Sequence, residues 1–349
     1  MTAAVTIALD AMGGDAAPGI VIDGAEISCQ RYPQLRFIIF GREKEVLPLL
    51  EKTERLKDVA EFVHTDDIVE ADDKPAVALR AGRKSSMRLA INAVQDGRAD
   101  GVVSAGNTGA LMAMSKFVFK TLPGVDRPAI ATFFPTMRGE SLMLDLGGNL
   151  SCDADNLVDF AVMGNAFSRC VIGVEEPSCG ILNIGSEEVK GHEYLQVASA
   201  RLKEANLPGR FVGFVEGDDI GKGTVDVIVT DGFTGNVALK TAEGTAKLIS
   251  ELFRQTFRSD LLAKLGYLLA HSALKKLRKR VDPRRYNGAI FLGLNGIAVK
   301  SHGGTDGVGF ANAISVAVDM QNQNIIARMR EDFDALTAES LDKEVVASQ

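Results

Sequence analysis

Short, uninterrupted apolar runs alternate along this chain with longer segments in which apolar positions recur every three or four residues. The short runs are VTIALD (5–10), LRFIIF (35–40), GVVSA (101–105), AIATFF (129–134), SLMLDL (141–146), GILNIG (180–185), FVGFV (211–215), DVIVTD (226–231) and GAIFLG (288–293). Runs without polar alternation fit strands covered on both faces. Segments 75–97, 107–120, 155–171, 190–206, 234–257 and 305–320 carry helical periodicity. Alternation of this kind predicts an α/β protein: a three-layer α/β/α sandwich with a mostly parallel, Rossmann-like sheet. No repeat, linker or low-complexity stretch interrupts it, so residues 1–349 read as a single α/β catalytic domain. The polar tail after about Glu339 is expected to fray.

One segment departs from the pattern. Leu261, Leu262, Leu265, Leu268 and Leu269 form one helical stripe, and Ala273, Leu274, Leu277 and Val281 form a second, rotated one. The phase shift predicts a bend or helical hairpin near His271–Ser272, and Pro283 stops the helix. Charge singles out the same region. The chain carries −7 overall, yet nine Lys/Arg against two Asp lie between Arg258 and Arg285. The acidic total argues against nucleic acid as a partner. The island predicts a basic amphipathic helical protrusion at about 245–285. Its face is Leu261, Leu265, Leu268, Leu269, Lys275, Lys276, Arg278 and Lys279. Such a face suits an anionic membrane surface or an acidic carrier protein; a solvated arm or dimer arm is the plain alternative.

Cys29, Cys152, Cys170 and Cys179 form no CxxC pair, which fits a reducing compartment. MTAAVTIALDAMGG lacks the basic start and apolar stretch of a secretory signal, and no run is long enough to span a bilayer. A cytoplasmic location follows as the expectation.

The chemistry lies where strands end. DAMGGD (10–15), SAGNTGA (104–110), DLGGN (145–149), NIGSEEVKG (183–191), EGDD (216–219), TDGFTGN (230–236) and SHGGTDG (301–307) each close an apolar run with small, polar or acidic residues. Ligands of open α/β sheets sit beyond the carboxyl ends of strands, so these turns are expected to converge on one cleft. Glycine lets backbone N–H groups approach an anion, and a following helix adds its positive end. SAGNTGA is the best instance, with Ser104, Gly106, Asn107 as N-cap and Thr108. Any one such turn also reads as an ordinary capped βα connection. There is no GxxxxGK[ST], and no GxGxxG follows the first strand. Asp10, Asp145 and Asp231 either bind Mg²⁺ or brace loops. The histidines lack zinc spacing, so no metal and no cofactor is expected. His302, after the apolar pair 289–299, and Lys190 are candidate participants. Arg80, Lys84 and Arg88, at i, i+4 and i+8, make a basic stripe beside Ser85 and Ser86.

Taken in order, ALDAMGGDAAP, SAGNTGALMA, LMLDLGGN, LNIGSEEVKG, DVIVTDGFTGNVALKTAEG and GIAVKSHGGTD resemble the bacterial phosphate acyltransferase family, the acyl-carrier-protein:phosphate transacylases of phospholipid synthesis. The likeness covers nearly the whole chain. DLGGN stands where that family usually has DxGAN, and VEGDD where it has IEGxD. The resemblance implies a fold akin to the isocitrate-dehydrogenase/phosphotransacetylase group, a homodimer, and a long-chain acyl–acyl carrier protein as donor. It also implies inorganic phosphate as acceptor, and an acyl phosphate that a membrane acyltransferase uses on glycerol 3-phosphate. A thioester is already activated and phosphate is its own nucleophile. Catalysis then needs positioning and oxyanion stabilisation, not a covalent intermediate. On that reading His302, Lys190 and Asn107 are the catalytic candidates. Asp10, Gly13, Gly14, Lys84, Ser85, Ser104, Gly106, Thr108, Asp145, Asn149, Asp231 and Asn236 line the phosphate and pantetheine cleft. A short-chain phosphotransacetylase using acyl-CoA, an NAD-linked dehydrogenase on the same scaffold, and a non-catalytic scaffold for carrier protein and membrane are the alternatives.

Overall fold

The computed structural model describes residues 4–205, 207–280 and 282–347, with 278–280 and 337–347 described by their backbone alone. The strands are β1 (Thr6–Asp10), β2 (Arg36–Gly41), β3 (Ala60–His64), β4 (Gly101–Ser104), β5 (Ala129–Pro135), β6 (Glu140–Leu144), β7 (Ser178–Leu182), β8 (Arg210–Val215), β9 (Val227–Val229), β10 (Ala289–Leu292) and β11 (Ile297–Lys300). The helices are α1 (Gly19–Arg31), α2 (Glu43–Leu50), α3 (Leu56–Val59), α4 (Pro75–Ala81), α5 (Ser86–Gln95), α6 (Thr108–Phe119), α7 (Ala154–Phe167), α8 (Glu193–Glu204), α9 (Gly217–Lys222), α10 (Gly232–Arg258), α11 (Leu261–Arg280), α12 (Gly307–Asn322) and α13 (Ile325–Ala347).

All strands join one eleven-stranded sheet, ordered β3-β2-β1-β4-β11-β10-β5-β6-β9-β7-β8. Successive side chains of a strand point to opposite faces, and both faces here are apolar. Ile7 and Leu9 of β1 enter a core with Val21, Phe160 and Phe310; Ala8 between them enters another with Met87, Ile91 and Leu111. Helices thus cover both faces, and the predicted three layers are present. The apolar runs of the sequence do not include β3, an edge strand whose residues are partly buried or exposed.

Direction is the decisive feature. β10 is antiparallel to both β11 and β5, and β5 is antiparallel to β6. The other neighbouring pairs are parallel. Three consecutive reversals turn the second half of the sheet over. β1, β2, β3, β4, β5 and β11 point one way; β6, β7, β8, β9 and β10 point the other. Their carboxyl ends lie on opposite long edges.

Three local expectations are corrected. Segment 75–97 is two helices, because the chain breaks at Gly82–Ser85. There the Ser85 hydroxyl donates to Gly82 O and accepts from Arg88 N, capping α5. Arg80, Lys84 and Arg88 therefore sit on α4, in the break and on α5, not on one stripe. The hairpin turns at Ser259–Asp260, where Asp260 accepts Ala263 N, and α11 runs straight through His271–Ser272. Arg280 ends it ahead of Pro283, as expected; Val281 lies outside the described residues. The tail expected to fray is helical to Ala347, in a stretch rich in Ala, Leu, Glu and Lys.

α1 and α12 cross closely at Gly24, where an added Cβ would lie 2.8 Å from Phe310 Cβ and 3.0 Å from Gly307 O. Gly24→Ala is expected to lower unfolding free energy by about 1–3 kcal/mol, read by chemical denaturation. An unchanged midpoint would show that the helices separate freely.

Candidate active site

The first edge gathers the turns after β1, β4 and β11. Asp10 ends β1 fully buried, and its carboxylate accepts from Ser86 Oγ (2.6 Å), Ser104 Oγ (2.7 Å) and Met12 N (3.3 Å). Ser104 Oγ in turn accepts from Gly106 N at 3.0 Å. A Cβ on Gly13 would fall 2.5 Å from Gly106 N, so turns 10–15 and 104–110 touch backbone to backbone. Gly14 takes φ +113°, a conformation open to glycine. Asp15 N donates to Gly303 O, and Ser301 N to Ser104 O. Asn287 Nδ2 donates to Ser301 Oγ and Gly309 O, while its Oδ1 accepts from His302 N. Three helices begin here: α5 capped by Ser85, α6 by Asn107 and α12 by Asp306. Their positive ends share this edge, the physical setting for an anion.

His302 is exposed, and its Nδ1 accepts from Gly304 N at 3.0 Å. The neutral ring therefore carries its proton on Nε2, as a donor. Lys300 ends β11 with only 9% of its surface exposed; its ammonium donates to Ala105 O (3.1 Å) and to Ser301 O. Burial pulls its pKa down to about 8, opposed by Asp10 and Asp15. Burial pushes Asp10 up, against its hydroxyl and amide donors and Lys300.

The second edge holds the turns after β6, β7, β8 and β9. Asp145, wholly buried, accepts from Ile130 N, Gly148 N, Asn149 N and Asn149 Nδ2 at 2.6–2.9 Å. Burial raises its pKa despite these bonds. Asp231 caps α10 through Thr234 N (2.9 Å), takes Thr234 Oγ1 (2.7 Å) and accepts from Tyr194 OH (3.3 Å). Burial and Asp231 push Tyr194 up to about 12. Asn236 is exposed beside Gly147. Asn183 closes turn 183–191 by donating to Lys190 O, and the Lys190 ammonium lies 4.0 Å from Glu187. Leu150, Ile184, Val189, Phe233 and Val237 stand exposed around this edge.

The expectation of one cleft is thus corrected. Asp10, Gly13, Gly14, Lys84, Ser85, Ser104, Gly106, Asn107, Thr108 and His302 belong to the first edge. Asp145, Asn149, Lys190, Asp231 and Asn236 belong to the second. His302 follows β11 and Lys190 follows β7, five strand spacings apart, or about 24 Å at roughly 4.8 Å each. They do not form one constellation within the chain. Asn107 is also spoken for: Nδ2 donates to Ala71 O and Asp73 O, and Oδ1 accepts from Ala110 N. It shapes the turn. Asp10, Asp145 and Asp231 use their oxygens on hydroxyl and N–H groups, which is the bracing reading. Lys84 and Thr108 remain exposed. Lys300 and Asn287 escaped the sequence reading; a lysine closing the apolar strand IAVK was the available signal.

Among the described residues no three His, Cys, Asp or Glu side chains are grouped as metal ligands. Cys152, near Asp145 and Asp231, is pushed up to about 12 by burial and those carboxylates, so it is no thiolate nucleophile at neutral pH. On the α10–α11 hairpin, Leu261, Leu262, Leu268 and Leu269 are 70–82% exposed, with Leu265, Lys275 and Lys276 exposed beside them. The side chains of Arg278 and Lys279 lie outside the described residues. No helix among the described residues is long and apolar enough to cross a membrane.

Residues 5–328 match the family described as fatty acid synthesis protein. The phosphate acyltransferase of Rhodospirillum centenum is 63% identical over 332 residues, covering 95% of this chain and 94% of that one. That of Paramagnetospirillum magneticum is 57% identical, covering 96% of each. A phosphotransacetylase structure from Streptococcus pyogenes superposes with TM-score 0.59 at 16% identity, covering 94% of this chain and 95% of that one. A 4-hydroxythreonine-4-phosphate dehydrogenase from Klebsiella pneumoniae does so with TM-score 0.51 at 14% identity, covering 92% and 99%. These two share the fold.

Asp231→Ala removes the α10 cap and the Thr234 and Tyr194 contacts together. It is expected to cost about 1–2 kcal/mol, read as a lowered melting temperature. A melting temperature equal to the parent's would contradict the bracing role.

Proposed function

The chain belongs to the phosphate acyltransferase family and is an acyltransferase; on that premise we propose that it moves an acyl group from a thioester to inorganic phosphate. The observation that carries this reading is the first edge, where three glycine-containing turns and three helix starts meet without a nucleotide motif. Phosphate sits against turn 104–110 and the start of α6, with Lys84 as exposed countercharge. A phosphate oxygen attacks the thioester carbonyl. The His302 Nε2 proton faces the oxyanion of the tetrahedral adduct, which collapses by breaking the C–S bond. Thiolate leaves, takes a proton, and acyl phosphate is released. A thiol of pKa ~8.5 is a fair leaving group, so no enzyme nucleophile is needed.

The motif order supports a long-chain acyl–acyl carrier protein as donor, and an acyl phosphate consumed by a membrane acyltransferase acting on glycerol 3-phosphate. It supports a homodimer in the cytoplasm as well. The leucine-rich, basic hairpin favours peripheral docking on an anionic membrane over docking of the carrier protein. An apolar patch of this exposure is a contact surface, and leucines suit lipid better than an acidic protein.

Incubation with acyl–carrier protein and phosphate should yield a hydroxylamine-trappable acyl phosphate, faster than with acyl-CoA. Absence of a trappable product would overturn the reading. His302→Ala should lower kcat about 10²-fold; full turnover would remove the histidine's role. For the hairpin, Leu268→Glu should abolish co-sedimentation with anionic phospholipid vesicles, and unchanged sedimentation would remove the membrane assignment.

A further inference from the structure

Lys300 is a buried charge that the proposed chemistry leaves unused. Its strand lies between β4 and β10, with Ser104 and Ala289 as its neighbours in register. α6 and α12, which pack against β11, present apolar side chains and Ser115 inward. The charged groups acting on the ammonium are Asp10 from β1 and Asp15 from the turn after it. A pair of carboxylates is a poor lining for a phosphate site, since both repel the anion. One cation between the turns offsets them. Its two bonds join consecutive pieces of that lining, Ala105 O in turn 104–110 and Ser301 O in turn 301–307. Holding the Ala105 carbonyl inward keeps it from facing the ligand.

We propose that Lys300 is a positioning residue for phosphate: it clamps turns 104–110 and 301–307 together and neutralises Asp10 and Asp15 beneath the bound anion. This rests on the reading of the first edge as the phosphate site. The ammonium acts through the turns, so its loss weakens phosphate capture and leaves the thioester donor untouched.

The sign of the pH effect follows. Lys300 is charged below a pKa of about 8 and neutral above it. Phosphate is already mostly dianionic there, so its own titration contributes little. In the wild-type enzyme, kcat/KM for phosphate should fall as pH rises from 8 to 9.5, while kcat/KM for the acyl donor stays level over that range. Lys300→Arg, whose charge persists, should flatten the phosphate profile. Lys300→Met should raise KM for phosphate about tenfold at pH 7 with the donor KM unchanged. A wild-type phosphate profile that is flat over this range overturns the proposal even if neither variant folds. So does a Lys300→Met enzyme with lowered melting temperature and unaltered KM for phosphate. Either result leaves the acyltransferase reading standing as long as hydroxylamine traps product; loss of that product in the wild type is the separate failure.

Discussion

Strands β10 and β5 each run against both of their neighbours, and the placement of the glycine-containing turns follows from that. A hydrogen-bonded ladder tolerates either direction, but each reversal moves the carboxyl end of the next strand to the other edge. Reversals at β11–β10, β10–β5 and β5–β6 leave six strands ending on one side and five on the other. The glycine-containing turns are divided accordingly. One group is knit through Asp10, Asn287 and Lys300, the other through Asp145 and Asp231.

Both groups rest on the same device. A buried carboxylate at a strand end costs desolvation, and each is offset by convergent donors from the turn that follows and from neighbouring elements. Asp145 holds three backbone amides and a side-chain amide. Asp10 holds two hydroxyls from separate elements, so it fixes α5 and β4 relative to β1. These carboxylates shape glycine turns that have few side chains of their own to hold them.

The layers, nearly all the strands and the turn motifs were legible because they depend on local pattern. Continuous apolar runs such as IALD and FIIF announce buried strands wherever they lie in the sheet. Strand direction is not local. Nothing in AIFL states that it will lie antiparallel between β11 and β5, so the expectation of a single cleft had no means of correction. Break points failed for a related reason. The periodicity of 75–97 continues across Gly82–Ser85, and only the Ser85 cap shows where the helix restarts. In the hairpin the leucine phase shift suggested His271, whereas the turn is set by Asp260 capping Ala263. Lys300 stayed hidden because a lysine at a strand end usually reaches solvent; its burial is imposed by the neighbouring turns.

The hairpin has a mechanical consequence. Only the start of α10 is anchored, at Gly232 and Gly235, and from Lys240 to Arg258 it is mostly exposed. Those nineteen residues extend about 28 Å at roughly 1.5 Å each. The leucine-bearing end is therefore a spacer's far tip. A contact made at that tip reaches the α/β body through α10 and the returning α11.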